Sequence, residues 1–211
     1  MSTIVVTGTD TDIGKTVFAA GLAAMLGARY WKPIQAGLAD GSDADTVAHL
    51  GVPRTRILPE IYRLHTPCSP HFAAEIDGVA IDPARLALPA TGATPLVVEG
   101  AGGVLVPVTR RLLFADLFAR WGAPVVLVAR TQLGTINHSL LSIEALRARG
   151  VKIVGVAYIG DPQEDSEATI AAIGGVKRLG RLPHLPRLDA DSLARAFSAS
   201  FDANDFREDF R

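Results

Sequence analysis

Cysteine is almost missing from this chain: Cys68 stands alone, so an internal disulfide is excluded and nothing suggests a disulfide framework. A surplus of one charge is missing too. Lysine and arginine number 21 against 22 acidic residues, so no net field draws the chain to nucleic acid or to an anionic membrane, and a small-molecule partner is expected. Apolar runs such as Pro124 to Ala129 fall far short of the roughly 18–20 residues that span a bilayer. The start of the chain passes from Met1 straight into TIVVTG, without the basic region and cleavage pattern of an export signal. A cytoplasmic location is expected, with no nucleic-acid and no membrane partner. Repeats, low-complexity tracts and linkers are also absent, and 211 residues are expected to form a single domain over 1–211.

What is present is an ordinary globular composition, 48% apolar and 20% charged. Short β-branched runs recur at Ile4 to Thr7, Leu96 to Val98, Val125 to Val128 and Ile153 to Val156. Each is too continuous for a half-exposed strand and reads as a buried parallel one. Between them, Ile136, Leu140, Ile143 and Leu146 repeat with helical spacing over Thr135 to Arg149, and Gly150 stops the pattern. Alternating strands and helices imply right-handed crossovers and a three-layer α/β domain. Gly37 to Ser42 and Pro53 to Pro83 break the rhythm and read as long loops of the kind that carry function. The charged tail from Asp202 to Arg211, with Phe206 and Phe210, reads equally as a docked turn or a frayed end.

The first strand runs into Gly8-Thr9-Asp10-Thr11-Asp12-Ile13-Gly14-Lys15-Thr16 and then into an apolar-periodic segment from Val17. Strand, glycine-bearing loop and helix in that order make a phosphate-binding loop. Amides at the helix start would hold phosphate oxygens, Lys15 would add a point charge, and Thr16 would offer a hydroxyl to Mg²⁺. Five residues separate Gly8 from Gly14 where the common motif has four before its GK, so the loop is a variant.

Glu99 closes a buried strand and is followed by Gly100-Ala101-Gly102-Gly103, which lets backbone approach a ligand at the carboxyl edge of the sheet. Capping the next turn would explain a glutamate there, but a Mg²⁺ ligand is the sharper reading, with Asp45, or less favourably Asp43, as a second carboxylate. Lys32 ends the run Tyr30-Trp31-Lys32-Pro33 at the same edge, where a lysine that merely snorkels is the ordinary alternative.

Four segments taken in order, GTDTDIGKT, WKPIQAG, SPHFAAE and VEGAGG, resemble those of the dethiobiotin synthetase family. LGTINH at Leu133 to His138 and GRLP at Gly180 to Pro183 extend the resemblance from about Ile4 to Leu185. It implies a P-loop NTPase-like domain with a mostly parallel central sheet. It also implies a Mg²⁺-dependent reaction of ATP, CO₂ or bicarbonate and 7,8-diaminononanoate that gives dethiobiotin, ADP and phosphate, by way of a carbamate and a carbamic-phosphoric anhydride. By the same resemblance Lys32 and Lys15 are the catalytic cations, and Thr16, Asp45 and Glu99 surround the metal. The nucleotide falls to Asp12, Ile13, Gly14, Lys15, Thr16, Val17, Asp45, Glu99, Gly100, Ala101, Gly102, Leu182, Pro183 and His184. The diamine falls to Thr11, Lys32, Ala36, Gly134, Thr135, Ile136 and Asn137, and the active sites of a homodimer lie at the subunit interface.

Two departures from the family pattern stand out. Some members have a hydroxyl residue where this chain has Ala36, and many have an adenine-reading asparagine where it has Ile159. Relaxed base choice is therefore expected. A partition-type regulatory ATPase would share the fold, but its signature lysine falls on Asp10 here. An amidotransferase-type synthetase would need a glutaminase domain with a nucleophilic cysteine, for which the chain has no room. Cys68 reads as a structural thiol and His71 as a packed or capping histidine.

Overall fold

A computed structural model describes residues 3–39 and 41–207. The chain opens on the buried strand β1 (Thr3–Gly8) and passes through the phosphate loop into α1 (Lys15–Leu26), which Gly27 closes in the left-handed conformation. Short strands β2 (Arg29–Trp31) and β3 (Ile34–Ala36) precede α2 (Asp43–His49). The proline-rich stretch expected to be a loop holds β4 (Ile57–Leu58), β5 (Tyr62–Leu64) and α3 (Pro70–Ile76). Pieces this short cannot display a period in sequence, and Pro70 stands at the first turn of α3, where a helix needs no N–H.

Then come β6 (Leu96–Gly103), the small hairpin of β7 (Pro107–Thr109) and β8 (Leu112–Leu113), and α4 (Phe114–Trp121). The second half alternates regularly through β9 (Val125–Arg130), α5 (Thr135–Arg147), β10 (Ile153–Ile159), α6 (Glu164–Gly174), β11 (Arg178–Leu182) and α7 (Ala190–Ser200).

Seven strands form one parallel sheet in the order β11-β10-β9-β1-β6-β2-β4. The strands legible as apolar runs, β10, β9, β1 and β6, are contiguous and interior, covered on both faces. Because side chains alternate along a strand, β1 sends Val5 to one face and Ile4 and Val6 to the other. Val5 joins Val98, Phe118, Leu127, Tyr158 and Ile143 beneath α4, α5 and α6. Ile4 and Val6 join Phe18, Leu22, Val97, Val126, Leu193 and Phe197 beneath α1, α2 and α7. The expected three-layer arrangement is thus present, with the chain reversing its direction of travel across the sheet beside β1, where ligands bind in such folds. No helix among the described residues is long and apolar enough to cross a membrane.

An aromatic cluster fastens α7 and the segment after it to α1. Phe18 meets Phe197 and Phe201 at ring-centroid distances of 5.2 Å and Phe206 at 6.3 Å. Phe206 is buried, so this part of the tail docks, while Phe210 lies outside the described residues. Gly21 makes room for the cluster: a Cβ there would lie 2.3 Å from the Phe197 ring. Gly21→Ala is expected to destabilise by roughly 1 kcal/mol net, because overpacking of about 1–3 kcal/mol exceeds the roughly 1 kcal/mol gained in helix propensity. Urea denaturation reads this directly, and an unchanged or raised midpoint would show that the ring yields freely.

Candidate active site

The phosphate loop folds over its own first glycine. A Cβ at Gly8 would lie 2.6 Å from Ile13 Cδ1 and 2.9 Å from Lys15 Cδ, so only glycine lets the loop close this tightly. Asp12 and Gly14 take left-handed conformations, with φ of 50° and 90°, and turn the backbone into α1. No side chain caps the helix at Gly14, which leaves its first amides for an anion. Lys15 is buried beside them and its ammonium donates to the Asp10 carbonyl at 2.5 Å. Burial pushes the Lys15 ammonium down to about 8, with nearby Lys32 adding to the depression and Glu99 opposing it. An arriving phosphate would relieve the unfavourable burial of that charge.

Beside the loop, β6, β2, β3 and the starts of α1 and α2 bring six polar side chains together. Glu99, expected to close its strand, lies midway along β6, which runs on through the glycines to Gly103, and it is 1% exposed. Its Oε1 accepts from the Thr16 hydroxyl at 2.8 Å and from Lys32 Nζ at 3.1 Å, and its Oε2 accepts from the Tyr30 hydroxyl at 2.8 Å. Lys32, also buried, makes a second ion pair with Asp43 Oδ2. Asp43 is oriented in turn by Gln35, whose Oε1 accepts from the Asp43 amide at 3.2 Å. A buried carboxylate with both oxygens satisfied and a cation in contact is the arrangement in which a charge tolerates loss of water. Burial and Glu99 together hold the Tyr30 phenol well above its ordinary range, so it remains a donor.

Asp45, expected among the metal ligands and nucleotide contacts, is turned away. Its carboxylate accepts from the Ser42 hydroxyl and amide in a capping box at the start of α2, and from Arg54 Nη2 at 2.8 Å on the solvent side. The Ser42 and Arg54 bonds hold its carboxyl down at about 2. Positions two apart on a helix point in different directions, so when Asp45 serves the cap it is Asp43 that faces Lys32.

Thr16, Asp43 and Glu99 present hydroxyl and carboxylate oxygens, the donors that suit Mg²⁺, and Lys32 lies against both carboxylates.

A cavity of about 380 Å³ adjoins the loop at the carboxyl ends of β1, β9, β10 and β11. Of the residues expected to contact the nucleotide, Asp12, Ile13, Gly14, Val17, Leu182, Pro183 and His184 line it. Ile159 lines it too, so no amide projects from that position, and the polar side chains on the wall are Asp12, Arg130, Thr131, Gln132, Asp161 and His184. Gly100, Ala101 and Gly102 continue β6 past Glu99, with Gly103 opposite Gly8. A Cβ at Gly103 would come within 3.2 Å of the Thr9 carbonyl, which is the close backbone approach this glycine run allows.

The expected diamine contacts fall into separate groups. Thr11 sits exposed on the loop crest, and Ala36 ends β3 opposite Leu64 of β5. Gly134, Thr135, Ile136 and Asn137 start α5, flanked by Leu133, which is fully exposed, and by Leu141, which is 57% exposed. Cys68 is a free, partly buried thiol packed on the core; His71 is partly buried and rests against the Phe72 ring.

Sequence reasoning missed Tyr30, Gln35 and Arg130. Tyr30 had a signal: it lies two residues before Lys32 in an extended run, where alternate side chains share a face, and both reach Glu99. Gln35 and Arg130 become visible only once a loop brings their partners near.

Comparison with known proteins follows the same lines. A family model described as an AAA domain matches residues 2–192. A protein of Novosphingobium aromaticivorans named ATP-dependent dethiobiotin synthetase BioD is 65% identical over 207 residues, covering 98% of this chain and 100% of the relative. One of the same name from Rhizorhabdus wittichii is 67% identical over 204 residues, covering 96% and 97%. Among solved structures, the MinC:MinD cell division protein complex of Aquifex aeolicus aligns with a TM-score of 0.57 at 16% identity, covering 93% of this chain and 86% of that one. A ParA family ATPase from Chlorobium tepidum aligns with a TM-score of 0.56 at 14% identity, covering 93% and 89%. Identities that low speak for the P-loop fold alone. Full-length likeness to the named synthetases does more, and the chain belongs to the ATP-dependent dethiobiotin synthetase family.

Proposed function

We propose that this chain carboxylates 7,8-diaminononanoate with CO₂ and closes the ring at the expense of ATP, giving dethiobiotin, ADP and phosphate. The observation that carries the reading is the buried Lys32 ammonium held against Glu99 and Asp43 beside the phosphate loop. One amine of the substrate adds to CO₂ and loses a proton to become a carbamate. A carbamate oxygen then attacks the γ-phosphorus and ADP departs. The second amine attacks the carbonyl carbon of the resulting carbamic-phosphoric anhydride and gives up a proton, phosphate leaves, and the ring closes. Carbamate and triphosphate repel one another, and Lys15 and Lys32 supply fixed positive charge where they meet. Thr16, Asp43 and Glu99 would hold Mg²⁺, which would neutralise charge on the phosphates.

The start of α5 is assigned to the carboxylate tail of the diamine, whose binding by helix amides needs no cationic side chain. Exposed Leu133 and Leu141 flank that helix start and favour burial against a second copy, so the active unit is read as a homodimer. Purified protein incubated with Mg-ATP, bicarbonate and 7,8-diaminononanoate is expected to yield dethiobiotin by mass spectrometry. ATP turnover indifferent to the diamine would sink the reading and favour a regulatory ATPase.

Base choice is expected to be loose, because Ile159 offers the nucleotide an apolar contact where an amide would read its edge. With GTP and CTP, kcat/KM is expected to stay within about a thousandfold of the ATP value, since a lost polar reader removes the discrimination of 10⁴ or more that a hydrogen-bonding site gives. A wider gap would mean that Thr131, Gln132 or His184 does the reading.

A further inference from the structure

Arg130 belongs to no motif, yet it stands where the phosphate loop and the cavity meet. β1 and β9 are neighbours, with Gly8 opposite Val128, and the Thr9 amide donates to the Val128 carbonyl at 3.0 Å. Past that bond the strands part, one entering the phosphate loop and the other turning towards α5. Arg130 bridges the gap: its Nη2 donates to Asp10 Oδ2 at 3.0 Å, while Asp10 Oδ1 accepts from the Thr11 amide at 2.8 Å. The carbonyl of Asp10 is the acceptor for Lys15. At its other end, the Arg130 carbonyl accepts from the Thr135 hydroxyl in the first turn of α5. Both partners of the ion pair are part-exposed, at 38% and 44% of their side chains, and such pairs add little to global stability. What the pair governs is local, since with Thr11 it sets the orientation of the residue whose carbonyl receives the loop lysine.

We propose that Arg130 is a positioning residue for the nucleotide, acting through Asp10 to hold the crest of the phosphate loop in the conformation that presents Lys15 to the triphosphate. The proposal rests on the assignment of this loop to ATP. It also gives Asp10 a role suited to its charge, as the anchor for a cation supplied from β9.

The test is a double-mutant cycle in steady-state kinetics on the full chain, with Arg130→Met, Asp10→Asn, the double variant and Arg130→Lys. Each of the first two is expected to raise KM for ATP by about five- to tenfold with kcat within about twofold, and the double variant to match the worse single rather than their product. Arg130→Lys is expected to recover most of the loss, because the charge still reaches Asp10. Three results would overturn the proposal: KM for ATP in Arg130→Met within about twofold of the parent, effects that multiply in the double variant, or a lowered melting temperature with KM unchanged. The parent protein separates the two layers. If it turns over no ATP, the assignment of the loop fails; if it does and the cycle is flat, only the role of Arg130 fails.

Discussion

Lys32→Ala lowers kcat by roughly 10²–10³-fold and changes KM for ATP by less than about threefold, the pattern of a charge used mainly in the transition state. The expectation comes from where the ammonium sits. Lys32 is anchored by Glu99 and Asp43 at the edge of the loop and does not itself belong to the loop that grips the polyphosphate. Its charge is therefore preorganised, with burial keeping water from diluting it. Removing it strands two carboxylates, but Glu99 keeps its bonds from Thr16 and Tyr30, so the variant should remain folded. Circular dichroism verifies the fold and initial-rate kinetics supply the rest. Near-normal turnover would remove Lys32 from the chemistry, and a large rise in KM at constant kcat would reassign it to ground-state binding of ATP.

Asp43→Asn raises the Mg²⁺ concentration needed for half-maximal rate by roughly 10–100-fold, whereas Asp45→Asn moves it by less than about twofold. The contrast follows from α2 alone. Asp43 faces Lys32 and Glu99, while Asp45 is committed to the cap and to Arg54. Titrating Mg²⁺ at fixed ATP distinguishes the two carboxylates cleanly. If Asp45→Asn proved the damaging change, the cap would have to open on binding metal and the assignment of Asp43 would be lost.

The contrast also marks where sequence stops speaking. β1, β6, β9 and β10 were legible because strands buried on both faces must be apolar throughout. The phosphate loop was legible because its glycines and lysine lie close together in the chain. β2 showed only as the short run that Lys32 ends, and β4 and β5, two or three residues long, were obscure. Asp43 and Asp45 have nearly identical sequence surroundings, and their difference lies in a hydrogen bond that Ser42 makes to one of them. The Glu99 cluster joins residues up to 83 positions apart, and no local pattern reports that the hydroxyl of Thr16 and the phenol of Tyr30 end on the same carboxylate. Loop and strand context pointed to Thr16 and Glu99, and resemblance to a family raised Lys32 above a surface lysine; sequence put Asp45 ahead of Asp43 for the metal, whereas in the fold it is Asp43 that faces Lys32.

Ile159 lines the cavity and also roofs the phosphate loop: a Cβ at Gly14 would lie 2.6 Å from its Cδ1. Two traits therefore share one side chain. A lineage that exchanged Ile159 for an amide to sharpen its choice of base would at the same moment strip an apolar contact from the turn that starts α1. If base choice rests on Ile159 as proposed, selectivity and loop firmness are tied, and a change in one would have to be followed by repacking around the other.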